Sequence, residues 1–320
     1  VADAICEIIG VDRVCFVNTG SEANMAAIRA ARTATGRDKI AVFAGSYHGI
    51  FDEVLVKPVT VRGQRKSMPV APGIPASMQE HITILDYGDP ASIEYLRREG
   101  HEYAGVFVEP VQTRHPDLQP REFLHALREV TRDVGAALIF DEVVTGFRLH
   151  PRGAQGWYGV DADLVSYGKL IGGGMPMAVV AGKARFMDVF DGGMWQFGDD
   201  SFPEVGVTFF GGTFVKHPLA LAASAAVLAH LKAAGPELHE TLNRRAAAFA
   251  AELNGYFTAN GLPLHLERGG SIFNLTFPGA DEQARLARGE VVTQIIEEPG
   301  PGGRLRAAID IPANKAATMA

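Results

Sequence analysis

Short apolar runs alternate along this chain with longer amphipathic stretches. Ala2 to Ile9 reads as the end of an amphipathic helix. Arg13 to Thr19 is a strand, punctuated by Gly20, Ser21 and Glu22, and a helix follows to Thr35. On that helix Ala23, Ala26, Ala27, Ala30 and Ala31 recur at helical spacing. They form one narrow face of small residues, which predicts close packing against a sheet. Ser21 is the expected N-cap and Gly36 the stop. Lys39 to Ala44 is the next strand. Val59 to Gln79, rich in Pro, Gly, Met and Arg and without a period, reads as a long loop. Ile82 to Leu85 is a short strand, and Pro90 to Gly100 a helix capped by Asp89.

The stretch Ala104 to Val111 is a continuous apolar strand that ends on a carboxylate, Glu109. Pro120 to Val134 is an amphipathic helix closed by Gly135, and Ala136 to Phe140 is a strand ending on Asp141 and Glu142. Asp163 to Ser166 leads to Lys169, and Ala178 to Ala181 is the strand after it. Strands apolar on both faces and separated by helices predict a largely parallel α/β sheet. Such sheets bind ligands at the carboxyl ends of their strands. Glu109, Asp141 and Lys169 each occupy that end of a separate strand.

Lys169 stands just before Gly172, Gly173 and Gly174. A lysine at the end of a buried strand, beside an uncrowded turn, can be held in a pocket. Desolvation there lowers its pKa and makes it a nucleophile able to form a Schiff base. Taken alone, the same residues describe a surface lysine in a flexible loop. The turn at Gly20 and Ser21 is in the same position: the start of a helix is an anion site, or simply a capped helix. Tyr47 and His48, between Gly45 and Gly49, can lay a ring over a flat ligand or fill a loop.

Asp191 to Phe214 is rich in glycine and aromatic residues and reads as a wall or lid. Pro218 to Lys232 and Pro236 to Asn260 are helices, Ser271 to Phe277 alternates like a strand with one buried face, and Asp281 to Glu298 is a charged helix. Pro299 to Ala320 has no pattern. The division expected is a large domain over residues 1–254 and a partial, smaller C-terminal α/β domain over 255–320.

Composition narrows the function classes. The 320 residues are 47% hydrophobic and 21% charged, which fits an ordinary globular protein with a large core. A net charge of -7 without a long basic run argues against a nucleic-acid partner. Cys6 and Cys15 read as small buried hydrophobes of a reducing compartment, the cytoplasm. No apolar run reaches membrane-spanning length and no signal peptide is seen, so no membrane partner is expected. The histidines show no ligand spacing, so no metal is expected. Gly172 to Gly174 is not a dinucleotide fingerprint, because no suitable helix opens there. The chain opens at Val1, already inside a helix, as if cut from a longer one.

Five motifs lie in order: Asn18-Thr-Gly-Ser-Glu-Ala-Asn24, Gly45-Ser-Tyr-His-Gly49, Phe140-Asp-Glu-Val-Val-Thr-Gly-Phe-Arg148, Tyr167-Gly-Lys-Leu-Ile-Gly-Gly-Gly-Met-Pro176 and Gly211-Gly-Thr-Phe-Val-Lys-His-Pro218. Together they resemble the class III aminotransferases, fold-type-I enzymes dependent on pyridoxal 5'-phosphate, and within them the glutamate-1-semialdehyde aminomutase-like branch. The resemblance implies a mainly parallel seven-stranded-type sheet flanked by helices. It implies that Lys169 forms the Schiff base with the cofactor and carries the proton, and that Asp141 pairs with the pyridine nitrogen. Val143 and Tyr47 would pack on the two ring faces, and Gly20 and Ser21 would hold the phosphate. Gly212 and Thr213 would complete the phosphate site from the neighbouring subunit, which implies a homodimer. His48 would lie beside the ring and Glu109 near the cofactor hydroxyl or the substrate. Lys183 and Lys216 lack this context.

A narrower resemblance rests on Tyr87-Gly-Asp-Pro90, Leu118-Gln-Pro-Arg-Glu-Phe-Leu124, Asp191-Gly-Gly-Met-Trp195 and Phe209-Phe-Gly-Gly-Thr213. These look like the aminotransferase modules of polyketide and peptide synthetases, whose acceptor is a β-ketoacyl thioester on an acyl carrier protein. The family's other branch implies glutamate-1-semialdehyde 2,1-aminomutase. From a different class, a non-catalytic module that kept the fold is disfavoured by the presence of both Lys169 and Asp141. The resemblance leaves open the amino donor and the keto or aldehyde acceptor.

Overall fold

The computed structural model describes residues 1–61, 64–277, 295–299 and 305–309. Helix α1 (Ala2–Ile9) leads into strand β1 (Arg13–Val17), helix α2 (Gly20–Thr35) and strand β2 (Lys39–Phe43). A hairpin of β3 (Val56–Val61) and β4 (Gln64–Pro69) precedes β5 (Ile82–Leu85), α3 (Pro90–Glu99) and β6 (Tyr103–Val108). Next come α4 (Arg121–Val134), β7 (Ala137–Glu142), α5 (Gly153–Tyr158), β8 (Leu164–Tyr167), β9 (Ala178–Gly182) and α6 (Ala184–Met187). Two helices, α7 (Pro218–Ala234) and α8 (Pro236–Ala259), lead to a hairpin of β10 (His265–Gly269) and β11 (Ile272–Thr276), and β12 (Ile295–Pro299) pairs with β13 (Leu305–Ile309).

Seven strands form the central sheet in the order β1-β9-β8-β7-β6-β2-β5. Neighbours from β8 to β5 run parallel, while β9 runs antiparallel to both β8 and β1. The alternation along each strand decides which face each side chain fills. Val106, Val108, Leu138 and Phe140 go to the core on the side of α4, and Phe107 and Ile139 to the core under α2. A fully buried aliphatic side chain such as Leu138 or Ile139 contributes about 1.5–3 kcal/mol. The alanine face of α2 is buried, and the helix lies across β6, β8 and β9. Larger residues there would lift α2 off the sheet and move its N-terminus.

Three local expectations change. Thr19, not Ser21, is the N-cap of α2: its hydroxyl accepts from the Glu22 N–H, and the Glu22 carboxylate accepts from the Thr19 N–H. That reciprocal pair is a capping box. The stretch from Val59 to Gln79 is not one long loop, since it holds the second half of the β3–β4 hairpin. Polar residues and prolines on these strands hide the alternation, and pairing is local. Ser67 ties the hairpin to the sheet by donating its hydroxyl to the Ile82 carbonyl, at 2.7 Å. The charged helix expected over Asp281–Glu298 lies outside the described residues except at its end, where Ile295–Pro299 forms a strand. The boundary expected after residue 254 falls within α8. No single helix among the described residues is long and apolar enough to cross a membrane.

Candidate active site

The carboxyl ends of the parallel strands open into a cleft of about 640 Å³. Because β9 runs the other way, the chain leaves β8, turns through Lys169 and the three glycines, and returns past Met175 and Met177 along the same cleft. Asp141 is the next-to-last residue of β7 and is paired in register with Ser166 of β8, three residues before Lys169. Both Asp141 and Lys169 line the cleft.

Asp141 is buried, and four donors reach it, the longest contact being the Ser166 hydroxyl to Oδ1 at 3.5 Å. Asn24 Nδ2 and His48 Nδ1 donate to Oδ2 at 2.8 and 2.9 Å, and the Val143 N–H donates to Oδ1 at 3.1 Å. The His48 ring is itself buried and stacks on Phe107, with centroids 4.0 Å apart. Since the carboxylate accepts, the proton sits on His48 Nδ1. Two buried polar atoms in this cluster, Asn24 Oδ1 and His48 Nε2, have no hydrogen-bond partner. Leaving such an atom unpaired costs about 1–3 kcal/mol.

Glu109 follows β6 and is buried in the cleft wall, where it accepts from the N–H groups of Thr113 and Tyr47 at 3.0 and 3.2 Å. Burial, and then the charge of Asp141, push its carboxyl up from the usual range. Tyr47 is 46% exposed at the cleft mouth. Val143 packs against Gly20: a Cβ on Gly20 would come within 2.9 Å of the Val143 methyls. Gly49, at φ 112, leaves no room for a Cβ beside Ser21 Oγ. The N–H groups of Gly20 and Ser21 are in the first turn of α2, where no acceptor exists within the helix. The Glu22 N–H is already taken by the cap. Ser21 Oγ accepts from the Ile50 N–H at 3.1 Å, which ties the turn after β2 to the start of α2.

Lys169 departs from expectation. It is exposed in the single chain rather than sealed by apolar neighbours. Its backbone has φ 50, in the left-handed region that L-residues disfavour. Gly168 before it and the glycine run after it accommodate the turn.

The cleft thus gathers Gly20, Ser21, Tyr47, His48, Glu109, Asp141, Val143 and Lys169. Gly212 and Thr213 are not among its lining residues; they are exposed on a segment anchored by Arg29, which donates to the Phe209 carbonyl at 3.0 Å. Of the decoy lysines, Lys183 is held by Asp163 at 2.7 Å and Lys216 is exposed. Sequence reasoning missed Asn24 and Thr113, which line the cleft. Asn24 carried a signal, as an amide on a helix face otherwise made of alanine.

The family model described as Aminotransferase class-III matches residues 1–297. The chain belongs to the class-III aminotransferase family. Among curated members it is similar to glutamate-1-semialdehyde 2,1-aminomutase 2 of Geobacillus kaustophilus, 39% identical over 272 residues, or 83% of this chain. The chain spans 59% of the length of that relative. Among solved structures, a transaminase with PLP bound superposes with a TM-score of 0.75 at 32% identity, covering 87% of this chain and 63% of its own. An omega-transaminase from Sphaerobacter thermophilus gives the same TM-score at 31% identity, covering 90% and 67%. These class-III and fold-type-I likenesses agree with the seven-stranded sheet and its helical layers.

Proposed function

We propose that the chain carries the cofactor-binding core of a pyridoxal 5'-phosphate-dependent enzyme. It would move an amino group from an amino-acid donor to a keto or aldehyde acceptor. The observation that carries this reading is the pairing of Asp141 and Lys169 on adjacent parallel strand ends, in one cleft with the N-terminus of α2. A carboxylate, a primary amine and a helix start with two N–H groups to spare match the pyridine nitrogen, the aldehyde and the phosphate of one small molecule.

The residues fit that molecule on their own terms. Gly20 and Gly49 are positions where a Cβ would strike Val143 and Ser21, so the turn and the helix start close tightly beside the free N–H groups of the first turn. Bound there, the cofactor supplies an electron sink for charge developing at the substrate carbon. Asp141 would face the ring nitrogen as a carboxylate, aimed by its donors. Lys169 supplies the amine that anchors the cofactor and then carries a proton to and from the substrate carbon; its exposed turn gives it room to swing. Val143 and Tyr47 flank the ring, Gly20 and Ser21 hold the phosphate through N–H groups, and His48 and Glu109 close the wall.

Gly212 and Thr213 would reach the cleft of a second copy, making a homodimer. The exposure of Phe197, Phe202, Phe209 and Phe214 on this segment supports a covered face. As acceptor we favour a β-ketoacyl thioester on an acyl carrier protein, on the four short segments that resemble synthetase modules. The aminomutase reading is favoured by the Geobacillus relative.

One assay separates them. The chain is loaded with pyridoxal phosphate, given a separate amino-acid donor, and the keto acid is counted. One keto acid per site, followed by amination of a β-ketoacyl pantetheine thioester, is expected. Isomerisation of glutamate-1-semialdehyde without a donor would assign the mutase. No keto acid and no isomerised product would remove both.

A further inference from the structure

Asn24 lies on α2, away from the strand ends, yet it is the side chain that joins two parts of the cleft. Its Nδ2 donates to the His48 carbonyl and to Asp141 Oδ2, both at 2.8 Å. The first partner belongs to the turn after β2 and the second is the next-to-last residue of β7. Asn24 is 2% exposed, so no solvent shares these bonds. Both partners can only accept, which fixes the amide with nitrogen facing them; the flipped amide would set three acceptors together. Both Nδ2 hydrogens are therefore used, while Oδ1 is left without a partner. The position is built to donate twice. Asp cannot do this, and Leu or Ala would leave Asp141 and the His48 carbonyl each one donor short.

We infer that Asn24 is a positioning residue for Asp141: it fixes the direction of the carboxylate and locks it to the turn carrying Tyr47 and His48. This rests on the proposed cofactor reading, in which Asp141 faces the ring nitrogen. His48 Nδ1 shares Oδ2 with Asn24, and the Val143 N–H holds Oδ1. Removing Asn24 leaves the carboxylate to its remaining contacts, from His48, the Val143 N–H and the Ser166 hydroxyl, with less to fix its direction.

The test is equilibrium binding of two ligands to the full chain, followed by absorbance. One is pyridoxal phosphate. The other is its 1-deaza analogue, in which carbon replaces the ring nitrogen. The wild-type chain is expected to prefer the natural cofactor. Asn24→Ala and Asn24→Asp should lose about tenfold in affinity for pyridoxal phosphate, the scale of one charge-assisted hydrogen bond, and little for the analogue. In an Asp141→Asn background, Asn24→Ala should cost nothing further. Asn24→Asp keeps the amide's shape, so the comparison can be read from it if Asn24→Ala does not fold. Equal losses for both ligands, a loss that persists in Asp141→Asn, or failure of both Asn24 variants to fold would overturn the inference and leave a structural role. A wild-type chain that binds neither ligand would overturn the cofactor reading, and this inference with it.

Discussion

Asp141 and Lys169 stand on neighbouring strand ends, and their surroundings are opposite. Asp141 is 4% exposed and held by four donors from separate parts of the chain. Lys169 is exposed and sits in a left-handed turn backed by glycines. The first arrangement fixes one atom in space before any ligand arrives, which is how preorganised electrostatics works. The second leaves a long side chain free to move, which an anchor that must let go and carry a proton requires. Under the proposed function, the contrast would tie rigidity to the group that keeps a constant charge, and exposure to the group that changes partners.

Variants on the two sides should part accordingly. Lys169→Ala should cost most: a loss of about 10²–10⁴-fold in amino transfer, the scale of a removed acid–base group, with cofactor still bound but not covalently, as read by gel filtration of the loaded protein. Asp141→Asn should follow, with about 10²-fold lost in turnover and the covalent attachment retained. If Asp141→Asn instead released the lysine adduct, the division of labour would be wrong.

The wall behind Asp141 carries a third test. Glu142 is wholly buried and accepts from the N–H groups of Ala154 and Gln155 and the hydroxyl of Thr145. Burial pushes its carboxyl up to about 7 from 4.5. The folded state thus holds a proton that the unfolded chain has released, so stability is highest below about pH 4.5 for this group and falls as pH rises to about 7, by about 3 kcal/mol. Urea titrations of the chain across that interval should show the decline, and Glu142→Gln should flatten it. Gly49→Ala, which needs φ 112 and meets Ser21 Oγ, should cost about 1–3 kcal/mol and weaken phosphate binding. Thr19→Ala, which removes the cap of α2, should cost about 1 kcal/mol in thermal unfolding and act on the phosphate only through helix fraying.

The rigid side was the more legible in the sequence. The unbroken apolar runs Val106–Val108 and Leu138–Phe140 announce strands buried on both faces, and a carboxylate after such a strand is expected at its end. The alanine face of α2 likewise announces how closely the helix lies on the sheet. The donors to Asp141 were not legible, since Asn24 and His48 reach it from residues far away in the chain, and nothing local records that meeting. The Thr19 cap was legible in principle: Thr19-x-x-Glu22 is the capping-box spacing, overlooked in favour of the nearer hydroxyl of Ser21. The exposure of Lys169 was not, because a strand end followed by glycines is compatible with either a sealed or an open turn. The β3–β4 hairpin failed for another reason, its strands being too polar to show an alternation.

The division between a fixed carboxylate and a moving lysine is tested most directly by locating the covalent bond. The chain is incubated with pyridoxal phosphate, reduced with borohydride, digested, and the modified peptide is sequenced by mass spectrometry. A single adduct on Lys169, absent in Lys169→Ala and still formed in Asp141→Asn, is the expected result. An adduct on Lys183 or Lys216, or cofactor bound tightly with no adduct at all, would contradict it.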